Sequence, residues 1–112
     1  MVLSKNNTFH YIWGENCDGW KFWDHQNLSI ILEKMPPGTK ERLHYHQKSF
    51  QLFFMLKGTA TLKVNEQLFH IYPNEAKEIL PFAHHQILNE TKDDIEFLVI
   101  SSPNTLGDRM NL

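Results

Sequence analysis

Between Gly38 and Gly58 the chain runs Gly-Thr-Lys-Glu-Arg-Leu-His-Tyr-His-Gln-Lys-Ser-Phe-Gln-Leu-Phe-Phe-Met-Leu-Lys-Gly, and no other stretch restricts the fold as much. His44 and His46 stand two residues apart. An extended strand has a side-chain period of two, so it points both imidazoles to one face within chelating reach. After Gln47-Lys-Ser49, the run Phe50 to Lys57 reads as a second strand that is apolar at both parities. Gln51, Phe53 and Met55 share one face, which reads as inward; Phe50, Leu52, Phe54 and Leu56 share the other. An amide placed among large apolar side chains needs a partner. A metal held by the histidines, or a molecule bound near it, would supply one. The outward set is too apolar for the wet face of an isolated two-sheet structure, so it predicts a covering partner and a homodimer.

The rest of the chain repeats this grammar of short strands. No window sustains a 3.6-residue apolar period, whereas short alternating runs recur at close spacing, which predicts an all-β fold. Phe9 to Trp13 is a strand, and Gly14 to Gly19 a turn by composition. Leu28 to Met35 is a strand with Leu28, Ile30 and Leu32 on one face, stopped by Pro36-Pro37-Gly38. Thr59 to Val64 and Leu68 to Tyr72 form a hairpin about Asn65-Glu66. Lys77 to Leu80 precedes a further short element, and Asp94 to Ser101 sets Ile95, Phe97 and Val99 against Glu96, Leu98 and Ile100. The tail from Pro103 to Leu112 either packs as an arm or frays. So many short strands joined by Pro, Gly and Asn turns predict a double-sheet jelly-roll barrel.

At 112 residues the chain is read as one domain, 1–112, with a barrel core at about 28–101, N-terminal strands and a C-terminal arm. A net charge of −2 without a basic stripe gives nucleic acid no electrostatic footprint. Cys17 is the single cysteine, so no internal disulfide forms. Neither an apolar leader nor a membrane-length apolar run is present, and the expected setting is cytoplasmic, away from membranes.

The central spacing, G-x5-H-x-H-x4-Q-x6-G, resembles the first motif of the cupin superfamily, with Gln51 where the family usually carries Glu. Pro81-Phe-Ala-His-His85-Gln-Ile-Leu-Asn89 resembles the second motif of short cupins, with Phe82 and Ala83 in place of the usual glycine. Tyr72-Pro-Asn-Glu-Ala76 resembles the family's intervening turn, with Asn74 at the usual glycine. The resemblance implies an RmlC-like jelly-roll barrel, also called a double-stranded β-helix. It implies a divalent transition metal (Fe, Mn, Ni, Zn or Cu) held by His44, His46 and His85, with Gln51 as a possible fourth ligand.

Neutral imidazoles bind such ions well, and three of them leave coordination positions open to a substrate or water. A glutamine in place of glutamate leaves the full charge on the ion, lowering affinity and making bound water a stronger acid. Arg42, at the parity of His44 and His46, is read either as a partner for a substrate carboxylate or phosphate or as a solvated cation at a strand start. Phe53, Met55 and Ile87 are read as the apolar inner wall. Two functions follow from these residues. One is metal-dependent chemistry of the dioxygenase, isomerase or lyase type on a small polar or anionic metabolite. The other is plain binding of a sugar or small acid without metal chemistry. A general acid or base beside the metal would separate them, and sequence parity offers no carboxylate at a sure inward position.

Overall fold

The alternating runs become strands close to their expected limits. In the computed structural model, which describes residues 1–112, β1 spans Phe9–Trp13, β2 Cys17–His25, β3 Leu28–Met35 and β4 His44–His46. β5 follows at Phe50–Lys57, β6 at Ala60–Val64, β7 at Gln67–Ile71 and β8 at Ala76–Ile79. β9 is His85–Leu88, β10 Ile95–Ser102 and β11 Arg109–Asn111, and there is no helix. The strands pair antiparallel in two sheets, ordered β1-β2-β3-β10-β5-β8 and β11-β4-β9-β6-β7. This is the all-β jelly-roll barrel.

The core lies between the sheets. Phe97, Met35, Met55, Leu62, Ile79, Ile87 and Ile95 are fully buried there. Gln51, Phe53 and Met55 of β5 are buried as their parity requires, while Phe50 and Leu56 are exposed. On β3 the inner parity is Ser29, Ile31, Glu33 and Met35. Ile30 and Leu32 instead line an apolar trough on the outside of the six-stranded sheet, with Phe22, Trp23, Leu56 and Leu98.

Turn chemistry fixes the connections. Asn65 (φ 47°) and Glu66 (φ 71°) occupy the two left-handed positions of a two-residue hairpin loop, with Val64 opposite Gln67. Asn74 (φ 67°) takes the left-handed conformation its side chain tolerates. Phe82 does so as well, at φ 70°, although a bulky residue there costs about 1–2 kcal/mol. Its N–H donates to His46 O at 2.7 Å, which ties this turn to β4.

One expectation is adjusted, and one left open is decided in favour of a packed arm. The first turn is only Gly14 to Asn16, and Gly19 lies inside β2 opposite Tyr11. A Cβ on Gly19 would come within 2.4 Å of the Tyr11 ring, so glycine here lets that ring lie across the strand. The tail does not fray. Asp108 accepts the N–H groups of Gln47, Lys48 and Ser49 at 3.0–3.2 Å. β11 then pairs with β4 in the register Arg109↔His46, Met110↔Tyr45 and Asn111↔His44.

Candidate metal centre

Two strands of one sheet supply the histidines. β4 and β9 are antiparallel with His44 directly opposite His85, and the two-residue repeat of β4 adds His46 on the same face. All three are buried, and one nitrogen from each lies within 4.8 Å of the others. Burial disfavours the charged imidazolium. It pushes the pKa of His44 down to about 3 and that of His85 to about 4, and lowers that of His46. The rings are therefore neutral donors at physiological pH.

Hydrogen bonds fix which nitrogen is free. His44 Nδ1 lies 2.7 Å from Arg42 O, and His85 Nδ1 lies 2.9 Å from Ala83 O. A carbonyl only accepts, so each ring carries its proton on Nδ1 and presents the Nε2 lone pair. His85 Nε2 then faces Gln51 Oε1 at 3.1 Å, while Gln51 Nε2 donates to Ser101 Oγ at 3.0 Å. Two lone pairs thus point at one another across the interior.

Three neutral imidazoles with an amide oxygen beside them form a donor set that fits a first-row divalent ion. In a site without an ion the His85–Gln51 contact is satisfied if the amide turns over, so that Nε2–H donates to His85 and Oε1 accepts from Ser101.

The cavity beside the histidines, about 130 Å³, is lined by Tyr11, Ile31, Glu33, Glu41, His44, His46, Gln51, Phe53, Val99, Ser101, Thr105 and Arg109. Two of its walls are carboxyls. Burial, and then the nearby charge of Glu41, pushes Glu33 up to about 8. Glu33 Oε2 accepts a long hydrogen bond, 3.4 Å, from the Tyr11 hydroxyl. Burial raises Glu41 to about 7 against the opposing pull of Arg109. Glu41 Oε1 accepts the Ile87 N–H at 3.3 Å, and Oε2 stands 3.9 Å from Arg109 Nη1.

The structure brings His44, His46, Gln51 and Phe53 together around this cavity, with His85 behind Gln51 in the histidine cluster. Met55 and Ile87 pack in the apolar core and do not line it. Arg42 is exposed, with Nε donating to Leu112 O at 3.2 Å. The chain between the Lys40 bridge and His44 is not paired in a ladder, so strand parity does not carry back through it. The inward residue of that segment is Glu41, and the cation at the cavity is Arg109 from the arm. Asn89 fixes the turn after the second motif: its Nδ2 donates to Met35 O and Asp93 O, and its Oδ1 accepts from Thr91.

Comparison with known proteins follows the same lines. A family model described as Cupin domain matches residues 31–101. Auxin-binding protein T92 of Nicotiana tabacum is 31% identical over 90 residues, covering 70% of this chain and 48% of that protein. The chain thus spans about half the length of that curated relative. Among solved structures, a predicted oxalate decarboxylase from Thermotoga maritima superposes with TM-score 0.84 at 19% identity, covering 92% of this chain and 99% of the other. A sugar phosphate isomerase from Silicibacter pomeroyi does so with TM-score 0.78 at 18% identity, covering 91% and 75%. At these identities the structural likeness is one of fold.

Proposed function

The chain belongs to the Cupin domain family, and from that premise we propose that it is a metal-dependent enzyme acting on a small, oxygen-rich anion held between the sheets. His44, His46, His85 and Gln51 would hold the ion, which supplies Lewis-acid polarisation of a substrate oxygen. The observation that favours chemistry over plain binding is the pair of half-buried carboxyls, Glu33 and Glu41, in the same cavity as His44 and His46.

The roles follow from the surroundings of each group. With its pKa near 8, Glu33 carries a proton at neutral pH and can give it up beside the Tyr11 hydroxyl. Glu41, near 7, is poised to take one. An ion at the histidines would draw both values down, and Glu41, the lower of the two, would ionise first, leaving the acid role to Glu33. Arg109 supplies the positive charge for an anionic end of the substrate. At about 130 Å³ the cavity is well below the usual size of small-molecule sites, which suits a small substrate. The reaction class that fits is proton transfer next to a carbonyl or carboxylate, as in isomerisation or the loss of a small group. Two structural neighbours carry the names of a sugar phosphate isomerase and a predicted oxalate decarboxylase, and both names specify small oxygen-rich anions.

The test begins with elemental analysis of protein purified without a metal-affinity tag, then titration with Mn, Fe, Co, Ni, Cu and Zn. Loaded protein is next screened for turnover of small hydroxy and keto acids. Metal binding that is lost in His46→Ala, and turnover lost in Glu41→Gln with metal retained, are the expected results. Refusal of every metal by the wild type would end the reading.

A further inference from the structure

Two of the three Nδ1 atoms at the histidine cluster are accounted for by main-chain carbonyls, Arg42 O for His44 and Ala83 O for His85. The third is not. His46 Nδ1 is buried and has no hydrogen-bond partner. The carboxylate oxygen Oδ2 of Asp108 stands 4.0 Å from it, and the two side chains are only 5% and 7% exposed. We infer that Asp108, brought in by the C-terminal arm, is the positioning residue for His46. Its carboxylate keeps the ring proton on Nδ1, so that Nε2 presents its lone pair alongside those of His44 and His85.

Several observations converge on this role. Asp108 is fixed by backbone, through the N–H groups of Gln47, Lys48 and Ser49, the three residues that follow His46 in the chain. One carboxylate therefore shapes the turn after β4 and faces the ring at its end. Burial alone would raise its pKa, but the three N–H donors outweigh that and hold it below the usual range, so it is charged. Burial keeps the His46 ring neutral, and the negative charge of Asp108 is the largest influence opposing it. The neighbouring strand register places Arg109 opposite His46, so the arm cannot dock in this register without bringing Asp108 to that ring. A metal-ligating histidine ordinarily gives its other N–H to a carboxylate or carbonyl, which sets its tautomer and orientation. His44 and His85 use carbonyls, and Asp108 completes the set for His46.

The inference rests on the metal-binding reading, and its test separates the two. In the metal-free full chain labelled with ¹⁵N-histidine, nitrogen–proton correlation spectra report the tautomer of each ring. His46 is expected as the Nδ1–H form. Asp108→Asn should shift it toward Nε2–H and weaken Zn²⁺ binding, read by competition with a chromophoric chelator, by about 10–100-fold. An Asp108 that only capped the 47–49 turn would leave the tautomer unmoved.

A wild-type His46 in the Nε2–H form overturns the inference whether or not the variant folds. So does an Asp108→Asn protein with unchanged tautomer and affinity. If wild type takes up no Zn²⁺ while the tautomer still follows Asp108, the positioning role stands and the metal reading fails.

Discussion

Replacing Glu33 with Gln removes a half-buried acid that lines the cavity, and the consequence can be worked from its surroundings. The folded state holds the Glu33 proton up to about pH 8, whereas the unfolded chain loses it near 4.5. A group with its folded pKa raised contributes stability that is present below the unfolded pKa and is lost as pH rises through the folded one. Between pH 4.5 and 6.5 this decline is masked. His44 and His85 have folded values near 3 and 4, so they make stability rise with pH until the unfolded histidines deprotonate at 6.5.

Above 6.5 only the carboxyls act. At about 1.36 kcal/mol per unit, Glu33 removes roughly 2 kcal/mol between pH 6.5 and 8, and Glu41, near 7, removes about 0.7. Urea unfolding of metal-free protein, with chelator present, should show wild type losing about 3 kcal/mol across that window and Glu33→Gln losing under about 1. Added metal should flatten the wild-type decline, because a cation at the histidines favours the ionised carboxyls. A Glu33→Gln protein that keeps the full wild-type slope would refute the placement of this acid in the cavity.

Gln51→Glu should raise metal affinity by adding a negative charge beside the ion, while Gln51→Leu lowers it; unchanged binding in both, by calorimetric titration, would make Gln51 a bystander. Phe82→Gly should stabilise the metal-free protein by about 1 kcal/mol in chemical denaturation, since it relieves the left-handed φ of 70° at an exposed residue; a loss of stability would mean that the ring's stacking on Tyr45 outweighs that strain. The outer apolar face, where Trp23, Phe50 and Leu56 are about half exposed, is proposed to be covered by a second copy of the chain, burying contacts of these three residues that contribute on the order of 2–4 kcal/mol per subunit before association costs. Sedimentation should give a dimer that Leu56→Asp converts to monomer, and a wild-type monomer at micromolar concentration would disprove it.

The fold was legible because strand parity is a local property. The alternation of Gln51, Phe53 and Met55 against Phe50, Leu52 and Leu56 predicts the burial of β5, and the His-x-His pair on β4 needs nothing beyond a period of two. The acid–base half of the cavity was harder to read. Glu33 stands at the parity of Ile31 and Met35, a charged residue between two large apolar ones, and that signal was available in β3. Attention to Leu28, Ile30 and Leu32 selects the outer face instead. Glu41 and Arg42 lie in an unpaired segment, where parity has no ladder to enforce it, so the inward position moved by one residue. Arg109 and Asp108 reach the site through pairing of β11 with β4, a contact across more than sixty positions that no local pattern encodes.

β4 is three residues long and meets β9 through a single paired position, His44 opposite His85. Its other edge is closed by β11, so the strand carrying two of the three histidines depends on residues made long after it. Without the arm β4 would be an open sheet edge and the turn after it would be uncapped. A chain cut short before Thr105 would still carry every motif by which its family is known, and its site would be unfinished.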